Sequence, residues 1–297
     1  MAVAQFVVNG LLVGALFASI AVGFALIWGV VEIINLAHGE MVMLGGYVSY
    51  WTVRSVAGEG AVSPVVALAS VPVALVVLFV VGYGLQRFVV SRVTGTDLFL
   101  TLLVTFGLSI VIQQLALQAW SADPRTVAVQ FTPQSFDVGG VFVPKTKLLA
   151  FVGAIVLTVL LWAFLRYTRR GRAIRSVAQN PDAAALLGID VEHTRALTFG
   201  LSSAIAGGTG AFIGMILFVQ PQMGLIYTLK SFVIVVFGGI GSVPGALLGG
   251  LLLGSVEELT AGLVSSQWTL AVSFGLLIVL LVVRPKGLFG RGVEGEP

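Results

Sequence analysis

The sequence predicts an all-α integral membrane protein, a polytopic bundle of eight or nine transmembrane helices with at least one broken or re-entrant segment. Three observations predict it. Of 297 residues, 58% are hydrophobic and only 10% charged, with a mean hydropathy of +1.06, whereas a soluble domain carries roughly a quarter charged residues. Apolar stretches of about 20 residues, the length a spanning helix needs, recur from the first line of the sequence to the last. The 37 glycines suit close helix packing in lipid better than they suit soluble helices. No polar segment is long enough to fold by itself, so residues 1–297 read as one membrane domain.

The expected spans are 6–30, 36–54, 63–86, 97–118, 147–166, 195–218, 229–241, 244–261 and 267–284. No basic residue precedes the first span and it stays apolar for about 30 residues, which suits a first mature helix and not a cleavable signal. The segment 229–241 is too short for a hydrocarbon core about 30 Å thick at 1.5 Å per residue, and reads as a half-helix or part of a broken one. The sequence leaves the count at eight or nine.

Basic residues set the expected orientation. Arg87, Arg92, Arg166, Arg169, Arg170, Arg172, Arg175, Arg195, Arg284, Lys286 and Arg291, eleven of sixteen, fall on one side if the spans alternate. Arg54, Arg125, Lys145 and Lys147 fall on the other, with Lys230 at a helix start. The positive-inside rule makes the arginine-rich side cytoplasmic, which puts the N-terminus outside and the C-terminus inside.

Composition also excludes function classes. With no cysteine and only His38 and His193, far apart, there is no disulfide framework, thiol nucleophile or metal cluster, and no cofactor is expected. A net charge of +3, carried where topology would put it, gives no nucleic-acid surface.

Two loops are long enough to act. The outer one, about residues 120–147, holds Pro124, Pro133, Gly139-Gly140 and Pro144, and its alternation at Val127-Ala-Val-Gln-Phe131 and Val141-Phe-Val143 suggests a short hairpin. The inner one, about residues 168–195, carries a helix-start signal, with Asn180 as N-cap, Pro181 at the first helical position and Asp182 complementing the helix dipole. Ala183, Ala184 and the run to Leu187 favour helix, and Gly188 stops it. A helix of about two turns does not stand alone in water. It either lies on the protein's own helix ends or inserts into a cleft of a partner.

The stretch Gly171 to Ala206, with Asn180-Pro181 and Leu186-Leu-Gly-Ile189, resembles the cytoplasmic loop of branched-chain amino acid ABC-transporter permeases, and more closely their high-affinity, LivH-like subunit. Ile34-Asn-Leu-Ala-His-Gly-Glu40 is similar to that family's early signature, with Leu36 where phenylalanine is common. Phe237-Gly-Gly-Ile-Gly-Ser-Val-Pro-Gly-Ala-Leu-Leu-Gly-Gly250 resembles its late glycine-rich motif, and the ending Arg284-Pro-Lys-Gly-Leu-Phe-Gly290 also fits. The resemblance implies a permease in the bacterial inner membrane. It would pair with a second, related permease (a homologue or another copy) and with two cytoplasmic ATPase subunits, and receive leucine, isoleucine or valine from a periplasmic binding protein. The helix after Asn180 would then be the coupling helix that docks on an ATPase. Urea or short amides are alternative substrates. The chain is not expected to be an enzyme, and it carries no Gly-x-x-x-x-Gly-Lys-Ser/Thr phosphate loop.

Two segments interrupt the apolar pattern. Glu32, Asn35, His38, Gly39 and Glu40 are either a turn at the membrane surface or a discontinuous helix lining the route at depth. Gly238, Gly239, Gly241 and Pro244 free backbone groups that must be buried or face a watery cavity. Leu44-Gly-Gly46 and Leu248-Gly-Gly250 follow these breaks and hint at an internal repeat, while Gly10/Gly14 and Gly245/Gly249 have the spacing of close helix contacts. Glu257 and Glu258 read as interfacial. An autonomous secondary transporter would need mid-helix acidic relays, for which only Glu32 to Glu40 is a candidate. A His38–Glu40 acid–base pair lies at i and i+2, off a shared helix face.

Overall fold

The computed structural model describes residues 2–95, 97–239 and 242–283. Within these it is an all-α membrane fold of eleven helices, eight of them long and apolar enough to cross a bilayer. The first helix, α1 (Ala2–Val31), has neither charge nor proline over 30 residues. It stops at Glu32, whose φ of 61° is left-handed, a conformation that costs a non-glycine residue roughly 1–2 kcal/mol. Residues 32–37 then fold back along the bundle before α2 (His38–Ala57) begins. Ser63 accepts from the Val66 amide and Pro64 occupies the first turn of α3 (Pro64–Phe88), while Asp97 accepts from the Phe99 amide at the start of α4 (Leu98–Trp120).

A hairpin of β1 (Ser135–Val138) and β2 (Val141–Pro144) follows, with Val138 opposite Val141. Its turn is Gly139-Gly140, with φ of 63° and 84°, the pair of positive angles that a two-residue hairpin turn needs. This corrects the pairing expected from alternation. Val127 to Phe131 is not a hairpin strand, because the two-glycine turn fixes Ser135–Val138 as the partner. The side chain of Gln5 bonds both the amide and the carbonyl of Phe142 at 2.7 Å, tying the hairpin to the start of α1.

The second half comprises α5 (Lys145–Tyr167), the short α6 (Arg169–Gln179) and α7 (Pro181–Leu186), then α8 (Val191–Ile216), α9 (Gly224–Gly238), α10 (Val243–Leu263) and α11 (Thr269–Val283). Passes alternate between a hairpin end and an arginine-rich end. A one-turn 3-10 segment, Pro221–Met223, leads directly into α9, so the apolar run starts earlier than the 229–241 read from sequence, and Lys230 stands inside the helix instead of at its start. The ending 284–290 lies outside the described residues.

The most extensive helix contacts are α1 with α10 and α3 with α8, and α1 and α8 are the buried centre. These contacts exchange if α1, α2 and α3 are matched with α8, α9 and α10. Each trio contains a long helix, an extended return and a helix that starts inside the bundle, and the two run in opposite senses, the inverted-repeat plan of many transporters. The Leu-Gly-Gly triplets do not mark this repeat, because they lie on α2 and α10, which do not correspond.

Small residues let these helices meet at backbone distance. A side chain on Gly14 would enter the backbone of Gly250 and Leu251, and one on Gly45 the backbone of Gly207. Hydroxyls join further pairs: between α1 and α8, Ser19 and Thr209 share a hydrogen bond of 2.9 Å and Ser202 donates to the Gly23 carbonyl at 2.7 Å, and between α2 and α3, Ser49 pairs with Ser70 at 2.6 Å. Gly45→Ala therefore forces α2 off α8 and should cost about 1–3 kcal/mol. Gly107→Ala, on an open face of α4, should be neutral or better. Thermal unfolding of the two variants in detergent checks the contrast.

Candidate functional site

Both inner helix starts lack a local cap. Neither Ala37 before α2 nor Met223 before α9 offers a side-chain cap, yet the first amides of a helix must find partners in a dry bundle. Two contacts join these helix starts. Thr228 on α9 accepts from the Gly39 amide at 2.8 Å and donates to the Leu36 carbonyl at 3.1 Å. Glu40 on α2 puts its carboxylate into the space that a side chain on Gly224 would need, beside the N-terminus of α9, where the helix dipole favours negative charge. The approach is possible only with glycine at both crossing positions, since a Cβ on Gly39 would collide with the Gly224 carbonyl.

Glu40 is 1% exposed, and its Oε1 accepts from Ser109 of α4 at 2.8 Å. His38 is fully buried, with Nε2 3.0 Å from the carbonyl of Ile20, in the middle of α1. A carbonyl only accepts, so Nε2 carries the proton. Asn35 Oδ1 accepts from the Ala37 amide at 3.0 Å. Three further atoms of this segment are buried without a hydrogen-bond partner among the described residues: Asn35 Nδ2, His38 Nδ1 and Glu40 Oε2. Each such group costs about 1–3 kcal/mol. Of the two alternatives read from sequence, the structure therefore shows the break inside the bundle, with only Glu32 exposed at its edge. Arg54 is four turns away and pairs instead with Glu59.

The matching break, Leu217–Gln220 between α8 and α9, was not legible in the sequence. Its backbone is covered by the loop before the hairpin. Arg125 and Val219 exchange amide–carbonyl bonds of 2.9 and 2.7 Å, and the Val127 amide donates to the Gly214 carbonyl at 2.8 Å. Val62 joins the same loop further along, accepting from Gln130 and donating to Ala128, both at 2.9 Å. The segment 32–37 is held differently, by hydroxyls: Thr228 on Leu36, and Thr105 on the Ile34 carbonyl at 3.2 Å.

In the late glycine-rich segment, Gly238 ends α9 and packs on Gly245, Gly239 turns with a φ of 92°, Ser242 caps α10 and Pro244 lies in its first turn. Gly241 lies outside the described residues. Glu257 is not a surface group. Its Oε2 receives Lys230 Nζ at 2.6 Å and its Oε1 receives Ser273 at 3.0 Å, while Lys230 stands 4.3 Å above the Phe17 ring. One ion pair thus joins α9, α10 and α11 against α1. Glu258 makes a looser contact of 3.9 Å with Lys147.

At the arginine-rich end, Thr168 caps α6, and Asn180 Oδ1 accepts from the Ala183 amide at 2.9 Å to start α7 at Pro181 and Asp182. Ala184 is buried, Gly188 closes the helix with a φ of 81°, and Asp190 caps α8 two residues on. Leu186 and Leu187 are 90% and 81% exposed, and together they form an apolar tip outside the apolar spans.

The chain matches the family model described as the branched-chain amino acid transport system permease component over residues 6–281. It is 34% identical to the high-affinity branched-chain amino acid transport system permease protein BraD of Pseudomonas aeruginosa, covering 97% of this chain and 95% of that one. It is 32% identical to the corresponding LivH of Escherichia coli, covering 95% and 94%. The fructose import permease protein FrcC of Rhizobium meliloti is 34% identical over 163 residues, 52% of this chain and 44% of that one.

Two outcomes test the geometry. Thr228→Val keeps the shape but leaves the Gly39 amide unpaired, and should cost about 1–3 kcal/mol, with Thr228→Ser close to the parent in thermal unfolding. Lys230→Met strands the Glu257 carboxylate and should cost about 3 kcal/mol or more, whereas Lys230→Met with Glu257→Met should recover most of the loss.

Proposed function

The chain belongs to the branched-chain amino acid transport system permease components, and from that membership we propose that it is the membrane-spanning subunit of an ATP-driven importer of leucine, isoleucine and valine. Near-full-length likeness to two permeases of high-affinity branched-chain amino acid systems supports the substrate class. The carrying observation is the crossing of two inner helix starts at Gly39 and Gly224, flanked by buried polar atoms that the fold leaves unpartnered. Polar groups at that depth are costly and usually mark a route. Asn35, His38, Gly39 and Glu40 line that route. Gly238, Gly239 and Pro244 shape the hinge between α9 and α10.

ATP is hydrolysed on two separate subunits, and α7, from Asn180 to Gly188, is the coupling helix. The tip Leu186-Leu187 fills an apolar cleft in the ATPase. Asp190 hands the motion directly to α8, which ends at the break leading to α9, and α9 grips α2 through Thr228. Closure of the ATPases therefore reaches the crossing through one continuous chain of elements. The affinity change must come from contacts that differ between the two states. Residues 1–297 act as one membrane domain in the bacterial plasma membrane, with the arginine-rich end cytoplasmic, the N-terminus outside and the C-terminus inside. A second, related permease completes the pathway, and a periplasmic binding protein delivers the solute to the hairpin end.

Energy-dependent uptake in cells with and without the gene tests the substrate, using labelled leucine beside urea, a short amide and fructose. Loss of leucine uptake alone is expected; loss of another solute instead overturns the substrate while keeping the importer. Leu186→Glu with Leu187→Glu should leave membrane abundance unchanged but abolish transport-linked ATP hydrolysis, and normal coupling in that variant defeats the docking role. Glu40→Gln should slow uptake severalfold at unchanged abundance; an unaltered rate removes Glu40 from the route.

A further inference from the structure

The foot of α5 carries charge that neither the fold nor the proposed coupling uses. The outer surface of α5 is apolar and exposed at Val152, Val156, Val159 and Leu160, as a lipid-facing helix requires. Trp162 and Tyr167 extend this surface to its last turn, exposed by 40% and 67%, with their rings edge to face at 5.9 Å. Such aromatics sit at the level of lipid headgroups. The guanidinium of Arg166 lies against both, 5.2 Å from the Trp162 ring and 5.8 Å from the Tyr167 ring.

Immediately beyond Thr168 the chain doubles back. Gly171 packs against the backbone of Phe164 and Leu165, and α6 turns Gly171, Ile174 and Val177 inward against the bundle. Arg169 and Arg170, three and four residues after Arg166 and at the start of α6, are left exposed. Among the described residues, none of the three arginines forms an ion pair, since the salt bridges there involve Arg54, Arg125, Lys147 and Lys230. Three unpaired guanidiniums therefore stand where an aromatic-edged, lipid-facing helix leaves the hydrocarbon. Each guanidinium can bind a phosphate oxygen pair through parallel N–H donors.

We propose that Arg166, Arg169 and Arg170, with Trp162 and Tyr167, bind the phosphate headgroup of an anionic phospholipid in the leaflet at the arginine-rich end. The rings seat the glycerol and upper acyl region, and the arginines hold the phosphate. The continuity of the site with the lipid-facing surface of α5 selects a lipid over a soluble partner, whose docking tip is Leu186-Leu187 on α7.

The test is retention of lipid by the full-length chain purified in detergent. Native mass spectrometry after exchange with phosphatidylglycerol or phosphatidylcholine reads bound lipid, with inorganic phosphate as a separate arm in thermal unfolding. Phosphatidylglycerol should be retained over phosphatidylcholine by about tenfold or more, and R166Q/R169Q/R170Q should erase the preference. R166K/R169K/R170K keeps the charge and should keep part of it, which guards against a misfolded glutamine variant. Equal retention of the two lipids, or a preference that survives in the glutamine variant, overturns the site. Stabilisation by inorganic phosphate equal to that by phosphatidylglycerol also overturns the lipid assignment. So does a glutamine variant that keeps the lipid but loses its ATPase partner, because the arginines would then face a protein.

Discussion

A backbone amide or carbonyl inside a bilayer has no water to turn to, and the whole architecture follows from meeting that constraint at two interrupted helices. Neither α2 nor α9 carries its own N-cap. The Thr228 hydroxyl of α9 accepts from the Gly39 amide of α2, and the Glu40 carboxylate of α2 lies against Gly224 at the start of α9. The crossing that results tolerates no side chain at Gly39 or Gly224. Around it, α1 and α8 form the buried centre, and their glycine, alanine and serine faces draw α10 and α3 to backbone contact.

This arrangement explains why so few polar groups are spread through so apolar a chain. Many are single hydroxyls that bond a carbonyl of their own helix, and a few bond one helix to the next, as Ser19 does with Thr209; such interhelical bonds are worth only about 1 kcal/mol each in lipid. The expensive groups are concentrated. Glu40, His38 and Asn35 stand at one break, and the Lys230–Glu257 pair binds the three helices that follow the other. The ion pair is internally complete, with both carboxylate oxygens engaged, whereas the segment around Glu40 keeps atoms without partners. Three such atoms, on Asn35, His38 and Glu40, fall within six residues where the two half-bundles meet.

The sequence made the fold class legible because lipid imposes a simple pattern, about 20 apolar residues at a time. The break at Glu32 to Glu40 was visible for the converse reason, since ionisable residues in an apolar region must be explained. The helix after Asn180 was visible through local capping chemistry, which needs no tertiary information. What escaped was tertiary. Leu217-Phe-Val219 is as apolar as a helix, so its extended conformation left no mark beyond Pro221 and Gly224, and its covering strand comes from nearly a hundred residues upstream, as an order of magnitude. Ser109 and Thr228 look like ordinary small helix residues until α4 and α9 are packed beside α2. The density of glycine and proline at Gly238 to Gly245 has the same appearance in sequence whether it marks a break at depth or a tight connection at a helix end.

The two breaks, alike in topology, are fastened by different means. On the hairpin side, Val219 is locked by reciprocal main-chain bonds to Arg125 in the loop before the hairpin. On the arginine-rich side, Ile34 and Leu36 are held by hydroxyls that can rotate to another acceptor without moving the backbone. Exposing the first to water means rupturing several amide–carbonyl bonds together; exposing the second means exchanging hydroxyl partners one at a time. An inverted repeat with equivalent halves would swing equally easily both ways. Unequal latches give the two breaks different resistance to opening, cooperative at Val219 and graded at Ile34 and Leu36.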